Sequence, residues 1–245
     1  MSAACSCSGR CSPSFSSARL ERRTMFEWLK ALRSQPSGLQ DIMQFFEQML
    51  EDGRHAFDLA ANALLGGTDP EVIKEDLWAT DKRINRNERR IRRMLITHAA
   101  VHGRTEFPVC LALMSLVKDA ERIGDYAKNL FDLVRLGVAL PEAARKDLIT
   151  LKDTISKLLA KARNIYESQD EEGAKDFLAE CDRLEDYCDA QVDALLLSET
   201  GGGSVAAAAL AYRYQKRIVS HAMNIITSVV MPLDRLDYYD EPRER

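Results

Sequence analysis

Apolar residues recur at three- and four-residue steps through most of this chain, and the pattern breaks at a few sharp places. Ile42, Phe46, Met49, Ala56, Phe57, Ala60 and Leu64 form the first stripe and predict a helix over about Gln40 to Leu65. Gly66-Gly67 stops it, and Asp69-Pro70 opens a second helix with proline at its first position. That helix is predicted over about Pro70 to Ala99, with Ile73, Leu77, Ile84, Ile91 and Leu95 as its stripe, followed by a loop from Val101 to Phe107. A third runs from Pro108 and ends at Gly137, carrying Val109, Leu113, Leu116, Val117, Ile123, Leu130 and Val134.

Leu140-Pro141-Glu142 begins the second half. Helices are predicted there over about Pro141 to Tyr166, Glu171 to Ser198 and Ser204 to Met231, separated by polar residues and by Gly201-Gly202-Gly203. Phe26 to Leu32 is a short amphipathic piece, and the residues from Asp234 onward show no clear period.

Three long helices, twice over, suggest an internal repeat. Laying the second helix on the fifth places Arg83-Ile84 on Arg183-Leu184 and Leu95-Ile96 on Leu195-Leu196. Laying the third on the sixth places Arg122-Ile123 on Arg217-Ile218 and Ala127-Lys128-Asn129 on Ala222-Met223-Asn224. The expected fold class is therefore all-α: two tandem three-helix bundles from one duplicated unit. The expected boundaries are a leader at 1–24, a first repeat at 25–137, a second at 138–233 and a tail at 234–245.

Composition sharpens this picture in three ways. The hydrophobic fraction of 46% and charged fraction of 29% are those of a globular protein. A net charge of -4 gives the whole chain no electrostatic case for nucleic acid, and the basic second helix lacks interleaved aromatics. No apolar run is long enough to span a bilayer; Ala222 to Leu233 is the nearest and is interrupted by Asn, Thr and Ser.

The six cysteines fall in two groups. Cys110, Cys181 and Cys188 lie inside helical patterns and read as small buried residues of a reducing compartment. Cys5, Cys7 and Cys11 crowd a Ser- and Arg-rich leader, where three thiols without a fourth ligand make a weak metal site. The leader is read as disordered, or as sequence upstream of a start at Met25, with a targeting peptide as the competing reading.

Candidate chemistry concentrates at Lys118 to Asn129. Glu121 and Asp125 stand one helical turn apart on one face, which Asn129 continues. Stacked carboxylates repel unless a cation lies between them, and a metal, an arginine or solvent can supply it. A second pattern appears in the repeat alignment. Lys82, Arg86, Arg89 and Arg93 fall opposite Asp182, Asp186, Asp189 and Asp193, so one face is inverted in charge between the repeats. Either the two stripes meet, between halves or between subunits, or both are solvated.

The run Asp119-Ala120-Glu121-Arg122-Ile123-Gly124-Asp125, followed by Ala127 and Asn129, resembles the signature helix of the PhoU family. With the duplicated three-helix unit, the resemblance covers about Gln40 to Val230. It implies a cytoplasmic regulator that damps phosphate uptake and phosphate-starvation signalling by contacting a phosphate-specific ABC transporter ATPase and a sensor histidine kinase. Homo-oligomers, often homodimers, are common in the family. It also implies one divalent metal (Fe, Zn, Mn or Mg) at a first-repeat site of Asp81, Glu121 and Asp125, with Asn85 as a neutral ligand where the family has a second acid. Asp119, Arg122 and Asn129 would support that site.

The second repeat departs from the motif. Lys216 and Ser220 stand where Glu121 and Asp125 do, Val219 replaces Gly124, and Cys181 replaces Asp81, while Asn224 is kept. This repeat is expected to bind no metal. An enzyme is not expected: the four histidines, His55, His98, His102 and His221, read as scattered, and no nucleophile elbow or phosphate-binding glycine loop is present. A metal-dependent hydrolase and a helical scaffold without a phosphate role are the alternatives.

Overall fold

The computed structural model describes residues 39–103, 106–199 and 201–237. The leader, the piece at Phe26 to Leu32 and the end of the tail lie outside these residues. Six long helices follow one another: α1 (Leu39–Leu65), α2 (Pro70–His102), α3 (Phe107–Arg135), α4 (Glu142–Ser168), α5 (Glu171–Leu196) and α6 (Gly203–Val230). A short 3-10 turn, Leu233–Arg235, comes last.

The breakers act as their chemistry requires. Asp69 caps α2 by accepting from the Glu71 amide at 2.9 Å. Asp170 does the same for α5 through the Gly173 amide at 3.0 Å. Gln169 ends α4 in the left-handed region at φ 59°. One boundary differs from expectation. α2 continues through Ala100 and Val101 to His102, because nothing before Gly103 disfavours a helix, and Gly103 then turns the chain at φ 69°.

In the first trio α1, α2 and α3 all pack on one another. In the second, α6 packs on α5 and α4, while α4 and α5 touch only lightly. The trios join along two seams, α1 against α4 and α3 against α6, so equivalent helices of the two repeats meet. α2 and α5 are left on opposite flanks. The core is continuous across the seams: one cluster of buried residues runs from Leu39 through Phe57, Leu113, Phe131 and Leu148 to Ile226 and Val229. The two halves are thus one packed body, in which Phe46 meets Tyr166 at 4.8 Å between ring centroids. Polar ties lie towards the other end of the α1–α4 seam. Arg145 donates to the Leu65 carbonyl at 2.6 Å and Lys152 to Asn62 Oδ1 at 3.1 Å.

Two glycines set the spacing of the first trio. A Cβ on Gly124 would meet Ile84 Cδ1 at 2.9 Å, and one on Gly53 would meet Ile123 Cγ2 at 3.1 Å. The Ile123-Gly124 pair therefore lets α3 approach α1 on one side and α2 on the other.

Candidate functional site: the α3 motif and its surroundings

The motif helix α3 is central, and its polar residues are divided between its neighbours. Asp119 is buried on the seam side. Its carboxylate accepts from His221 Nδ1 at 2.8 Å and from Asn224 Nδ2 at 3.2 Å, both on α6. Tyr126, two turns on, stacks against His221 with centroids 5.6 Å apart and leans on Tyr214 at 6.1 Å. Motif residues thus hold the two repeats together.

Glu121 and Asp125 turn towards α2, and each has a lysine of α3 as its cation. Lys118 Nζ lies 2.5 Å from Glu121 and 3.9 Å from Glu88 of α2. Lys128 Nζ lies between two acids, 2.7 Å from Asp81 and 3.0 Å from Asp125. Arg122 is exposed, 3.6 Å from Asp125. Asn85 and Asn129 are half-buried.

Burial pushes the Glu121 carboxyl above its ordinary pKa; Asp125 and Glu88 add to this, and the Lys118 ammonium opposes it. For Lys128, burial disfavours the charge, but the Asp81 and Asp125 carboxylates outweigh it and hold the pKa above the ordinary value. A divalent ion between Asp81 and Asp125 would have to displace the Lys128 ammonium. Glu121 is engaged one turn away by Lys118. With a lysine ammonium already seated on each carboxylate, the donor set as arranged does not fit a metal ion.

In the second repeat the equivalent positions form an ion-paired face. Lys216 is paired closely with Asp189 and lies 3.9 Å from Glu185, both on α5. Arg213 reaches Asp189 at 3.6 Å. Ser220 donates to the Lys216 carbonyl at 3.1 Å, closing on its own helix. Cys181 is fully buried, and burial pushes its thiol pKa up, with Glu185 adding to the shift. Asn224 belongs to the Asp119 cluster of the first repeat.

The two charge stripes are not brought together within the chain, since α2 and α5 form no packed pair. Lys82, Arg86, Arg89 and Arg93 are all exposed along the flank of α2. The aspartate stripe is split. Asp186 and Asp193 are exposed, Asp182 is half-buried, and Asp189 faces the α6 cations.

The histidines are less scattered than their sequence positions suggest. His55 pairs with Asp76 at 2.9 Å, joining α1 to α2. His221 serves the α3–α6 seam. His98 and His102, on the last turns of α2, stack with ring centroids 4.2 Å apart, and His98 Nε2 contacts Glu106 at the start of α3. Among the described residues, His98, His102 and Glu106 form a group of three whose ligand atoms all lie within 4.8 Å of one another. The regular spacing His-x3-His-x3-Glu carries this signal in the sequence.

Comparison with known proteins agrees with the motif. A PhoU domain model matches residues 46–134, which lie within the first trio. The crystal structure of PhoU from Pseudomonas aeruginosa is similar with a TM-score of 0.67 at 20% identity, covering 80% of this chain and 97% of that one. The phosphate transport system regulatory protein PhoU from Streptococcus pneumoniae gives a TM-score of 0.64 at 18% identity, covering 80% and 95%. At these identities the likeness establishes the fold. No curated protein matches the chain.

Proposed function

Starting from membership of the PhoU family through the domain at residues 46–134, we propose that this chain is a regulatory adaptor in phosphate homeostasis. It damps phosphate uptake and phosphate-starvation signalling by protein contacts and performs no chemistry of its own. The domain match over the α3 motif carries this reading. The partners it implies are a phosphate-transporter ATPase and a sensor histidine kinase, and the assembly it implies is a homo-oligomer. Among the described residues, the α2 stripe of Lys82, Arg86, Arg89 and Arg93 has no acid of its own chain paired with it, which suits it to an acidic partner surface. Exposed charges of this kind steer association and choose partners more than they add affinity.

The test is a pull-down with the full chain under high and low phosphate, together with phosphate uptake in cells lacking it. The expected results are capture of the transporter ATPase, loss of capture on Arg86→Glu with Arg89→Glu, and raised uptake at high phosphate in the deletion. Unchanged uptake in the deletion would overturn the reading.

One observation favours a second reading. The second repeat has Lys216 and Ser220 where the first has its motif carboxylates; Lys216 is ion-paired to α5 and Ser220 closes on its own helix. A scaffold that keeps the fold without the phosphate role would show partner capture independent of phosphate.

A further inference from the structure

Because α2 runs on to His102, His98 and His102 stand one turn apart on one helix face, their rings stacked with an interplanar angle of 21°. Gly103 then reverses the chain, and Glu106 brings its carboxylate back to the His98 ring. Two of the three groups are held by packing: the side chains of His98 and Glu106 are 5% and 17% exposed. His102 is exposed. Beside them lies an open groove of about 350 Å³, lined by Arg93, Met94, Thr97, Val101 and both histidines.

The geometry points to a divalent-metal site formed by His98, His102 and Glu106, separate from the α3 carboxylates. Histidines at i and i+4 on one helix face present two nitrogens to a single point. The returning carboxylate makes a third ligand. Two imidazoles and one carboxylate suit a borderline cation such as zinc better than magnesium or calcium, which take oxygen ligands. The fourth position opens on the groove, so water completes a tetrahedral shell and the ion is exchangeable rather than enclosed. Arg93 lines the same groove but is exposed, so solvent screens its charge.

The site lies where α2 hands over to α3. Ile96, Val101, Phe107 and Leu111 are all at least half exposed in the same region, at 64%, 72%, 50% and 57%. Val101 lines the histidine groove and the other three line a second one, and a bound ion would link the end of α2 to the start of α3. The inference does not depend on the phosphate reading.

The test uses the full chain with Cys5→Ser, Cys7→Ser and Cys11→Ser, so that no leader thiol competes for metal. Titration with Co2+ should give one ion per chain, with visible ligand-field absorption and no thiolate charge-transfer band. Zn2+ should displace it and raise the melting temperature. His102→Ala removes an exposed ring and leaves the His98–Glu106 contact in place, and it should weaken binding by more than the ~10–100-fold that loss of an outer-shell partner costs. Glu106→Gln should weaken it too, while Asp81→Asn with Asp125→Asn should leave it unchanged. Full Co2+ binding by His102→Ala, or loss of binding in the Asp81/Asp125 variant, would overturn the assignment.

Discussion

Asp119 of α3 and His221 of α6 are 102 residues apart in the chain, and their side chains meet at 2.8 Å across the seam between the repeats. Both are buried, and Asn224 shares the same carboxylate oxygen. A hydrogen-bonded charge at this depth matters chiefly through what its removal would leave unpaired. Asp119→Ala strands two donors. It should cost about 2–3 kcal/mol in urea denaturation, and Asp119→Asn, which keeps one acceptor oxygen, should cost less. Equal losses in the two variants would mean that packing, not the polar cluster, holds the seam.

The closeness of α2 and α3 makes a second prediction. Gly124→Ala puts a methyl group 2.9 Å from Ile84 Cδ1 and should destabilise by about 1–3 kcal/mol. Ile84→Val removes the obstructing carbon and on its own should cost about 0.5–1.5 kcal/mol. The double variant should be more stable than the sum of the two singles predicts. Strict additivity in the four-variant cycle would show that the contact is not the constraint.

Lys128 should matter through pH. Its pKa is held above the ordinary lysine value, so its stabilising contribution is fully present below the unfolded pKa of ~10.4 and is lost as pH rises through the folded value. Lys128→Met leaves Asp81 facing Asp125 and should cost about 1 kcal/mol, the upper range for a partly exposed pair. The gap between the two proteins should stay level through neutral pH and close as pH rises through the alkaline range. A gap that closes on acidification alone would point to the carboxylates instead.

Gln215 is fully buried on α6, and neither atom of its amide has a partner among the described residues. Replacing such a group with an apolar one of similar size removes an unsatisfied desolvation cost. Gln215→Leu should raise stability by about 1–2 kcal/mol on thermal or urea unfolding. A loss of stability would show that an internal water satisfies the amide.

Much of the fold is legible in the chain because it depends on local rules. Period, caps and breakers act over a few residues. Asp69-Pro70, Gly66-Gly67 and the triple glycine at Gly201 therefore mark helix ends without knowledge of any neighbour. The doubling is legible for the same reason, since each copy repeats the same local pattern. α2 runs past its expected end because Ala99 and Ala100 favour a helix, Val101 does not forbid one, and only Gly103 breaks it.

What lies beside each charge could not be read in this way. Spacing puts Glu121 and Asp125 on one face, but it does not say that α2 brings Asp81 to Lys128 or Glu88 to Lys118. Nor does it say that Asp119 looks the other way, into α6. The His98, His102 and Glu106 cluster needs a helix, a reversal and the start of another helix before its three ligand atoms can meet. The chain alone determined six helices, their doubling and the motif on α3, because those are properties of consecutive residues. Tertiary packing decided which carboxylates already hold a cation and which histidines share a point, because Coulombic and ligand contacts act over a few ångströms between groups far apart in sequence.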